Sequence, residues 1–203
     1  MTSAAPFTNL TNHFLVAMPS LHDALFGRSV VYLCEHSPDG ALGIVINKPC
    51  DISLQRLFDQ VDMPLGRSDL MGMPVFIGGP VQIDRGFVLH EPSPAQEHMP
   101  VDLPASPMFA STLSIVGGLE MTTSKDVLDA LSLGGGPRKL LISLGYSAWG
   151  EGQLESELSH NHWLTMPADR KLIFDTPAAK RWDGALLLLG LQAWMISPEV
   201  GHA

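Results

Sequence analysis

The stretch that most constrains the fold is Arg28–Pro49, which reads RSVVYLCEHSPDGALGIVINKP. Its first half, Ser29–Glu35, is rich in β-branched and aromatic residues and carries apolar side chains on both alternating faces. A strand that is apolar on both sides is usually covered on both sides. Residues 37–40, Ser-Pro-Asp-Gly, have the composition of a type I turn. We therefore predict a central hairpin whose second strand is Ala41–Ile46.

The rest of the chain mixes short strands and helices without a strict βαβ alternation, which favours an α+β fold over a doubly wound sheet. Strands are predicted at His13–Met18, Val75–Ile77, Arg85–Glu91, Leu119–Thr122, Lys139–Leu144, His162–Thr165 and Lys171–Phe174. Helices are predicted after N-terminal signals at Ser20, Ser53, Thr123, Gly145 and Thr176. The last helix carries an apolar stripe of Ala178, Trp182, Ala185, Leu186 and Leu189.

No change of composition marks a domain boundary, so we predict one domain over residues 1–203. Residues 1–12 are expected to be a flexible N-terminus. Residues 91–107 contain five prolines and no periodicity, which is typical of a long surface excursion.

Composition limits the classes of function. The net charge is −9, and the lysines and arginines are scattered. Affinity for nucleic acid depends largely on clustered cations, so no direct nucleic-acid binding is expected. The longest apolar run, Ala185–Leu191, is far shorter than the roughly 20 residues of a membrane span. With no signal-peptide pattern and only Cys34 and Cys50, the chain is predicted to be a soluble protein of a reducing cytoplasm.

Residues 145–149, Gly-Tyr-Ser-Ala-Trp, resemble the G-x-S-x-G nucleophile elbow of hydrolases. Trp149 stands where the motif has glycine, and an indole would obstruct the tight crossing of strand and helix. We therefore predict that Ser147 caps the following helix rather than acting as a nucleophile.

Cys34 and His36 lie two residues apart on a predicted strand and so share a face. A thiol becomes nucleophilic when a cationic neighbour lowers its pKa, whereas burial raises that pKa and makes the thiol inert. The apolar neighbours of Cys34 predict a packing residue. The alternative is a thiol enzyme in which His36 assists Cys34.

No metal or other cofactor is predicted. His160 and His162 have the i, i+2 spacing that a strand could use for a metal, but no cysteine or carboxylate cluster at zinc spacing accompanies them. The glycine-rich segments 78–80 and 134–137 match neither the dinucleotide fingerprint nor the P-loop.

Six segments in order resemble the AlgH/YqgE family of uncharacterised bacterial proteins. They are residues 28–49, VFIGGPV at 75–81, RGFVLH at 85–90, LGYSAWGEGQLESEL at 144–158, NHWLTMPAD at 161–169 and IFDTPAAKRW at 173–182. The resemblance runs from about Phe14 to the end of the chain. It implies a single α+β domain with a bifurcated, barrel-like, mixed or antiparallel sheet and flanking helices. It brings no established reaction, although the name AlgH implies transcriptional regulation.

Two functions remain open at this point. The first is a non-catalytic binding protein, or an indirect regulator, that acts through a protein partner or a small ligand. The alternative is a hydrolase or thiol enzyme that uses Cys34, His36 or His90. A nucleophile and a base within hydrogen-bond reach in a pocket would distinguish the second from the first.

A functional surface is predicted where Gly145–Glu155 meets Arg85–His90, because sites often form on segments that leave a rigid sheet. Glu151 and Glu155 begin the predicted helix and already complement its dipole, which favours a neutral or cationic ligand, or a protein segment, over a nucleotide. The candidate residues are Arg85, His90, Tyr146, Trp149 and Glu155.

The charge balance yields a direct prediction. In an anisotropy titration with duplex DNA at physiological salt, the protein should form no specific complex, because it lacks the clustered cations that neutralise phosphates. Sub-micromolar binding to a defined sequence would contradict the inference.

Overall fold

The predicted hairpin lies at the centre of the computed structural model, which describes residues 7–92 and 108–196. Strand β2 (Val30–Ser37) pairs antiparallel with β3 (Gly40–Val45), and Pro38 and Asp39 form the turn. Tyr32 packs into one apolar cluster and Leu33 into another. Both faces of β2 are therefore covered, as predicted.

A bulge at Cys34 changes which face the following residues occupy. Leu33 pairs with Gly43 and Glu35 pairs with Leu42, so Cys34 is the extra residue on β2. Cys34 packs with Tyr32, whereas His36 lies opposite Ala41 on the other face. The prediction that Cys34 and His36 share a face is wrong, because the two-residue alternation does not continue across a bulge.

The other strands are β1 (His13–Ala17), β4 (Pro49–Ser53), β5 (Pro74–Ile77), β6 (Val81–His90), β7 (Thr112–Ile115), β8 (Leu119–Thr122), β9 (Leu140–Gly150) and β10 (Trp163–Pro167). The α-helices are α1 (Leu54–Gln60), α2 (Asp126–Ser132), α3 (Gln153–Ser159), α4 (Arg170–Phe174) and α5 (Ala178–Leu188), and residues 68–70 and 193–195 form short 3-10 turns. The main strand order is β10-β1-β2-β3-β9-β6-β8-β7, with β4 paired to β5 and β5 to β9.

Strand β9 belongs to both branches of the sheet. Its C-terminal half pairs antiparallel with β3, and its N-terminal half pairs parallel with β5 and antiparallel with β6. The sheet curls into a half-barrel accompanied by helices, which confirms the predicted α+β fold.

Three apolar clusters cover the two faces of the sheet. The largest contains Phe14, Tyr32 and Phe76 and packs around α4 and α5. The second packs α3 on the opposite face, where it includes Trp149 and Trp163. The third packs α1 and α2 against β5, β6 and β9. The largest cluster, around α4 and α5, is therefore the main core of the protein.

Two predicted elements near the sheet have a different structure. Residues 20–26 form no helix but irregular backbone followed by a turn, in which Asp23 Oδ1 accepts hydrogen bonds from the N–H groups of Leu25 and Phe26. Lys171–Phe174 belongs to α4 rather than to a strand, because Asp169 caps a helix there by accepting from Leu172 N at 2.9 Å. Short apolar runs do not distinguish strands from helices.

The predicted helix caps have mixed outcomes. Ser53 caps α1 by accepting from Arg56 N, as predicted. Thr123 does not cap α2, since its hydroxyl donates to Ser111 O at 3.5 Å and α2 begins only at Asp126. Thr176 does not cap α5, since its hydroxyl donates to Lys171 O at 3.0 Å.

The N-terminal segment and the proline-rich segment are only partly covered by the described residues. Residues 1–6 and 93–107 lie outside the described residues, so the expected flexibility of 1–6 and most of the predicted excursion stay predictions. Residues 10–12 are held to the sheet instead. Leu10 N donates to His36 Nδ1 at 2.9 Å, and Asn12 N donates to Leu33 O at 2.9 Å.

The chain crosses β9 between β5 and β6, at Gly78 and Gly79. Gly145, in the middle of β9, has a φ of +72°, and a Cβ there would lie 2.6 Å from Gly79 O and 2.8 Å from Val81 O. Both neighbours are backbone atoms, so neither can rotate away. Residue 145 must therefore be glycine for the crossing to form.

We expect Gly145→Ala to lower the free energy of unfolding by at least about 2 kcal/mol, because overpacking and left-handed strain act together. Gly86→Ala on β6 is the matched control, since nothing lies within 4 Å of a Cβ at that position. Its stability should stay within about 0.5 kcal/mol of wild type in urea titrations. Equal stability of the two variants would refute the steric argument.

Candidate functional site

Arg85 and Tyr146 meet in an open groove on the sheet, with a volume of about 430 Å³. Arg85 Nη2 donates to Thr123 Oγ1 at 3.1 Å, and Nη1 approaches Gln82 Oε1 at 3.5 Å. The rings of Tyr146 and Phe87 are 5.1 Å apart, and the Arg85 guanidinium lies 6.0 Å from the Phe87 ring. We call this surface the Arg85 groove; it combines a cation, amide and hydroxyl groups and two aromatic rings.

The Arg85 guanidinium makes no ion pair within residues 7–92 and 108–196. The side chain is exposed, and its hydrogen bonds are to neutral groups. A guanidinium presents a planar fork of donors that matches a carboxylate. The Arg85 groove is therefore suited to an acidic group.

His90 does not contribute to this groove, although it lies on the same strand. Its side chain is fully buried, and its ring packs edge-on against Phe109. Nδ1 donates to Glu91 O at 2.8 Å, and Nε2 accepts from the Thr122 hydroxyl at 2.9 Å. Burial lowers the pKa of His90, which keeps the ring neutral. This histidine is a satisfied core residue.

Trp149 is also a core residue, with 5% of its surface exposed. Its indole N–H donates to Glu157 Oε2 at 2.9 Å, and the indole of Trp163 donates to the same oxygen at 2.8 Å. Glu155, another candidate residue, lies 2.9 Å from His36 Nε2 through its Oε1. The five predicted residues therefore occupy different places, and only Arg85 and Tyr146 come together.

The contacts of His36 identify the tautomer of its ring. Its Nδ1 faces Leu10 N at 2.9 Å, and because a backbone N–H can only donate, Nδ1 is the acceptor. Nε2 therefore carries the proton and donates to Glu155 Oε1. Both ring nitrogens are occupied, so His36 has no free lone pair with which to act as a base.

The candidate nucleophiles are held inside the sheet. Cys34 is buried on the face opposite His36, and burial raises the pKa of its thiol well above the usual range. Ser147 lies within β9 rather than at a helix start, and its hydroxyl donates to Gly78 O at 3.1 Å. The prediction that Ser147 caps a helix is wrong, and the nucleophile-elbow geometry is absent from residues 145–149.

Helix α3 begins later than predicted, and this changes what its acidic residues imply about the charge of a ligand. The helix begins at Gln153, after the strand has continued to Gly150, and Glu151 and Glu155 line a separate pocket beside His36. These carboxylates do not border the Arg85 groove. Glu151 and Glu155 therefore give no reason to expect a neutral or cationic ligand in the Arg85 groove.

Sequence reasoning missed most residues of the groove, among them Gln82, Phe87 and Thr123. Phe87 carried a usable signal, because it lies two residues after Arg85 on a predicted strand and so shares its face. Gln82 carried none, since β6 begins four residues earlier than predicted, at Val81.

Residues 7–92 and 108–196 contain no group of three or more His, Cys, Asp or Glu side chains that could hold a metal ion. Among the helices assigned in ranges 7–92 and 108–196, none is both long and apolar enough to span a membrane.

Comparison with known proteins gives one consistent result. A family model described as AlgH-like matches residues 14–194. Curated relatives named UPF0301 protein include one from Albidiferax ferrireducens, 65% identical over 97% of this chain and 96% of the relative. Another, from Verminephrobacter eiseniae, is 63% identical over 100% of both chains.

Solved structures agree with the sequence comparisons. The solution structure of the AlgH protein from Pseudomonas aeruginosa is 44% identical, covers 100% of both chains and has a TM-score of 0.72. A crystal structure of a Corynebacterium diphtheriae protein, 19% identical, covers 92% of this chain and 88% of the other with a TM-score of 0.65. That second likeness shows the fold alone.

The burial of Cys34 predicts its reactivity. In a Cys50→Ser protein, which has a single thiol, labelling by a disulfide reagent at pH 8 should be at least about a hundredfold slower than in denaturant. The thiol is sealed in the core and remains protonated, so it reacts only after the sheet opens. Rapid labelling of the native protein would instead support a thiol enzyme.

Proposed function

The chain belongs to the AlgH-like family, and we propose that it is a non-catalytic binding protein that contacts a partner protein through the Arg85 groove. The observation that carries this proposal is a contrast between two sets of residues. The polar groups of the groove are open to solvent and include the Arg85 guanidinium, which makes no ion pair with any described residue. The groups that could perform catalysis are engaged in internal contacts.

The alternative is a hydrolase or thiol enzyme. It would need a nucleophile and a base within hydrogen-bond reach, drawn from Cys34, His36 or His90. Cys34 and His36 lie on opposite faces of β2, and His90 is buried beneath Phe109. Each histidine uses both ring nitrogens for internal hydrogen bonds. These placements favour the binding role.

The chemistry of the groove favours a protein segment with an acidic residue next to an apolar or aromatic one. Arg85 would pair with the carboxylate, and the rings of Phe87 and Tyr146 would contact the apolar neighbour. Arg and aromatic residues are the usual centres of protein interfaces. Any regulatory role in the cytoplasm would then be indirect, through this partner, in keeping with the acidic charge of the chain.

The test places a photo-crosslinking residue at Gln82, in the groove, within cells that naturally make the protein. We expect a discrete crosslinked product whose yield falls at least about tenfold with Arg85→Ala, because a charge-assisted hydrogen bond contributes about 1.5–3 kcal/mol. Arg138→Ala removes a charge from an exposed arginine outside the groove and should leave the yield unchanged.

Two controls separate a lost contact from a lost fold. The same crosslinker at Leu133, which is 89% exposed and lies away from the groove, should give no such product. Both arginine variants should unfold within about 0.5 kcal/mol of wild type, since their side chains are exposed. An equal product from Gln82 and Leu133, or from Arg85→Ala and wild type, would place the partner surface elsewhere.

A further inference from the structure

Arg181 is a charged side chain in an apolar position. It follows Ala178 by three residues and precedes Ala185 by four, so it lies on the buried stripe of α5, and only 6% of its surface is exposed. Its guanidinium stands over the Phe76 ring at 5.0 Å from the centroid. Nε donates to Thr176 O at 2.9 Å, and Nη1 donates to Ile46 O.

The charge of Arg181 has no acidic partner among the described residues. None of the ion pairs within ranges 7–92 and 108–196 includes it, and Nη2 makes no hydrogen bond to a residue of those ranges. Burial alone lowers its pKa to about 10. A buried charge is costly unless it is paired, so this position calls for a counter-charge.

Arg181 lines a cavity of about 310 Å³ between the sheet and the junction of α4 and α5. The walls are largely apolar and include Phe76, Leu141 and Ile173. The first turn of α5 also borders the cavity, through Pro177 and Ala178. None of the described side chains caps this 11-residue helix. Lys180 N donates to Pro177 O at 2.8 Å, which leaves the N–H groups of Ala178 and Ala179 as available donors.

We propose that this cavity binds the carboxylate of a small molecule with an apolar body. Arg181 Nη2 and the first N–H groups of α5 supply the donors, while Phe76, Leu141 and Ile173 contact the apolar part. Helix N-termini and arginine side chains both favour bound anions, and here both border the same cavity.

The charges around the cavity select a monoanion. Arg181 is the buried cation, and the other charged lining residue, Asp175, holds Lys139 Nζ at 2.8 and 2.9 Å through its two carboxylate oxygens. That pair is neutral in sum, so a single negative charge balances Arg181. A dianionic phosphate would be left with an excess negative charge in an apolar cavity.

This site is separate from the Arg85 groove. The cavity borders Leu140 and Leu141 at the start of β9, whereas the groove borders Tyr146 farther along the same strand. The inference therefore goes beyond the proposed partner surface and does not depend on it.

The experiment titrates the full-length protein with benzoate, benzamide and inorganic phosphate, and follows the Arg181 side-chain Nε resonance by NMR. Benzamide has the same apolar body as benzoate without its charge. We expect benzoate to shift the Arg181 signal saturably and to bind at least tenfold more tightly than benzamide or phosphate. Gln82→Ala, in the groove, should bind benzoate as wild type does.

Two variants test the role of the guanidinium. Arg181→Lys keeps the charge but loses the Nη2 donor, so benzoate affinity should fall at least threefold. Asp175→Asn should raise that affinity by removing a negative charge from the rim. The wild-type NMR titration remains decisive if Arg181→Lys fails to fold. Equal binding of benzamide, tighter binding of phosphate, or an unshifted Arg181 signal at tens of millimolar benzoate would each overturn the proposal.

Discussion

The structure depends on the crossing of the chain over β9 at Gly78. The carbonyl oxygen of Gly78 accepts from Val45 N at 2.9 Å and from the Ser147 hydroxyl at 3.1 Å, while its N–H donates to Leu144 O at 2.9 Å. These bonds connect β3, β5 and β9 where the sheet divides. They also deliver the chain to the start of β6, which carries Gln82 and Arg85. The groove thus exists because the crossing places β6 on the far edge of β9.

Most candidate residues are not available for binding, because their polar groups already make hydrogen bonds inside the protein. One carboxylate oxygen of Glu157 accepts from two indole N–H groups, those of Trp149 and Trp163, and so joins α3 to two strands. His36 joins the N-terminal segment to α3 in the same way. Buried donors and acceptors that lack partners are costly, so such groups are consumed in maintaining the fold. Only side chains left outside these networks remain free for other molecules.

The parts of the fold that depend on local chemistry could be predicted from the sequence. The hairpin followed from its turn and its apolar strands, and the start of α1 followed from Ser53. The bulge at Cys34 had no local signal, because a strand with an extra residue has the same composition as a regular one. Gly145 suggested a strand end, whereas its left-handed conformation instead accommodates the crossing chain.

The candidate site was less predictable, because it depends on which residues the folded sheet brings together. Arg85 and Tyr146 were identified, but Trp149 and Glu155 were assigned to the same surface on the assumption that a helix began after Gly145. The strand continues to Gly150, so Trp149 lies in β9 beyond the groove and Glu155 lies in α3. Arg181 had a local signal in its position on the apolar stripe of α5, yet only tertiary structure shows that its charge lacks a counter-charge among the described residues.

The position of the hairpin in the sheet has a consequence for synthesis of the protein on the ribosome. Strand β1 precedes the hairpin and pairs with β2, but β1 also pairs with β10, and β3 pairs with β9. Both outer edges of this three-stranded unit are therefore completed only when the C-terminal third of the chain appears. Until then, the hairpin, which is apolar on both faces, lacks β9 and β10. Such nascent segments are prone to association with other chains and are typical clients of chaperones. The strand that completes the sheet therefore also ends the period in which the newborn chain is most vulnerable to aggregation.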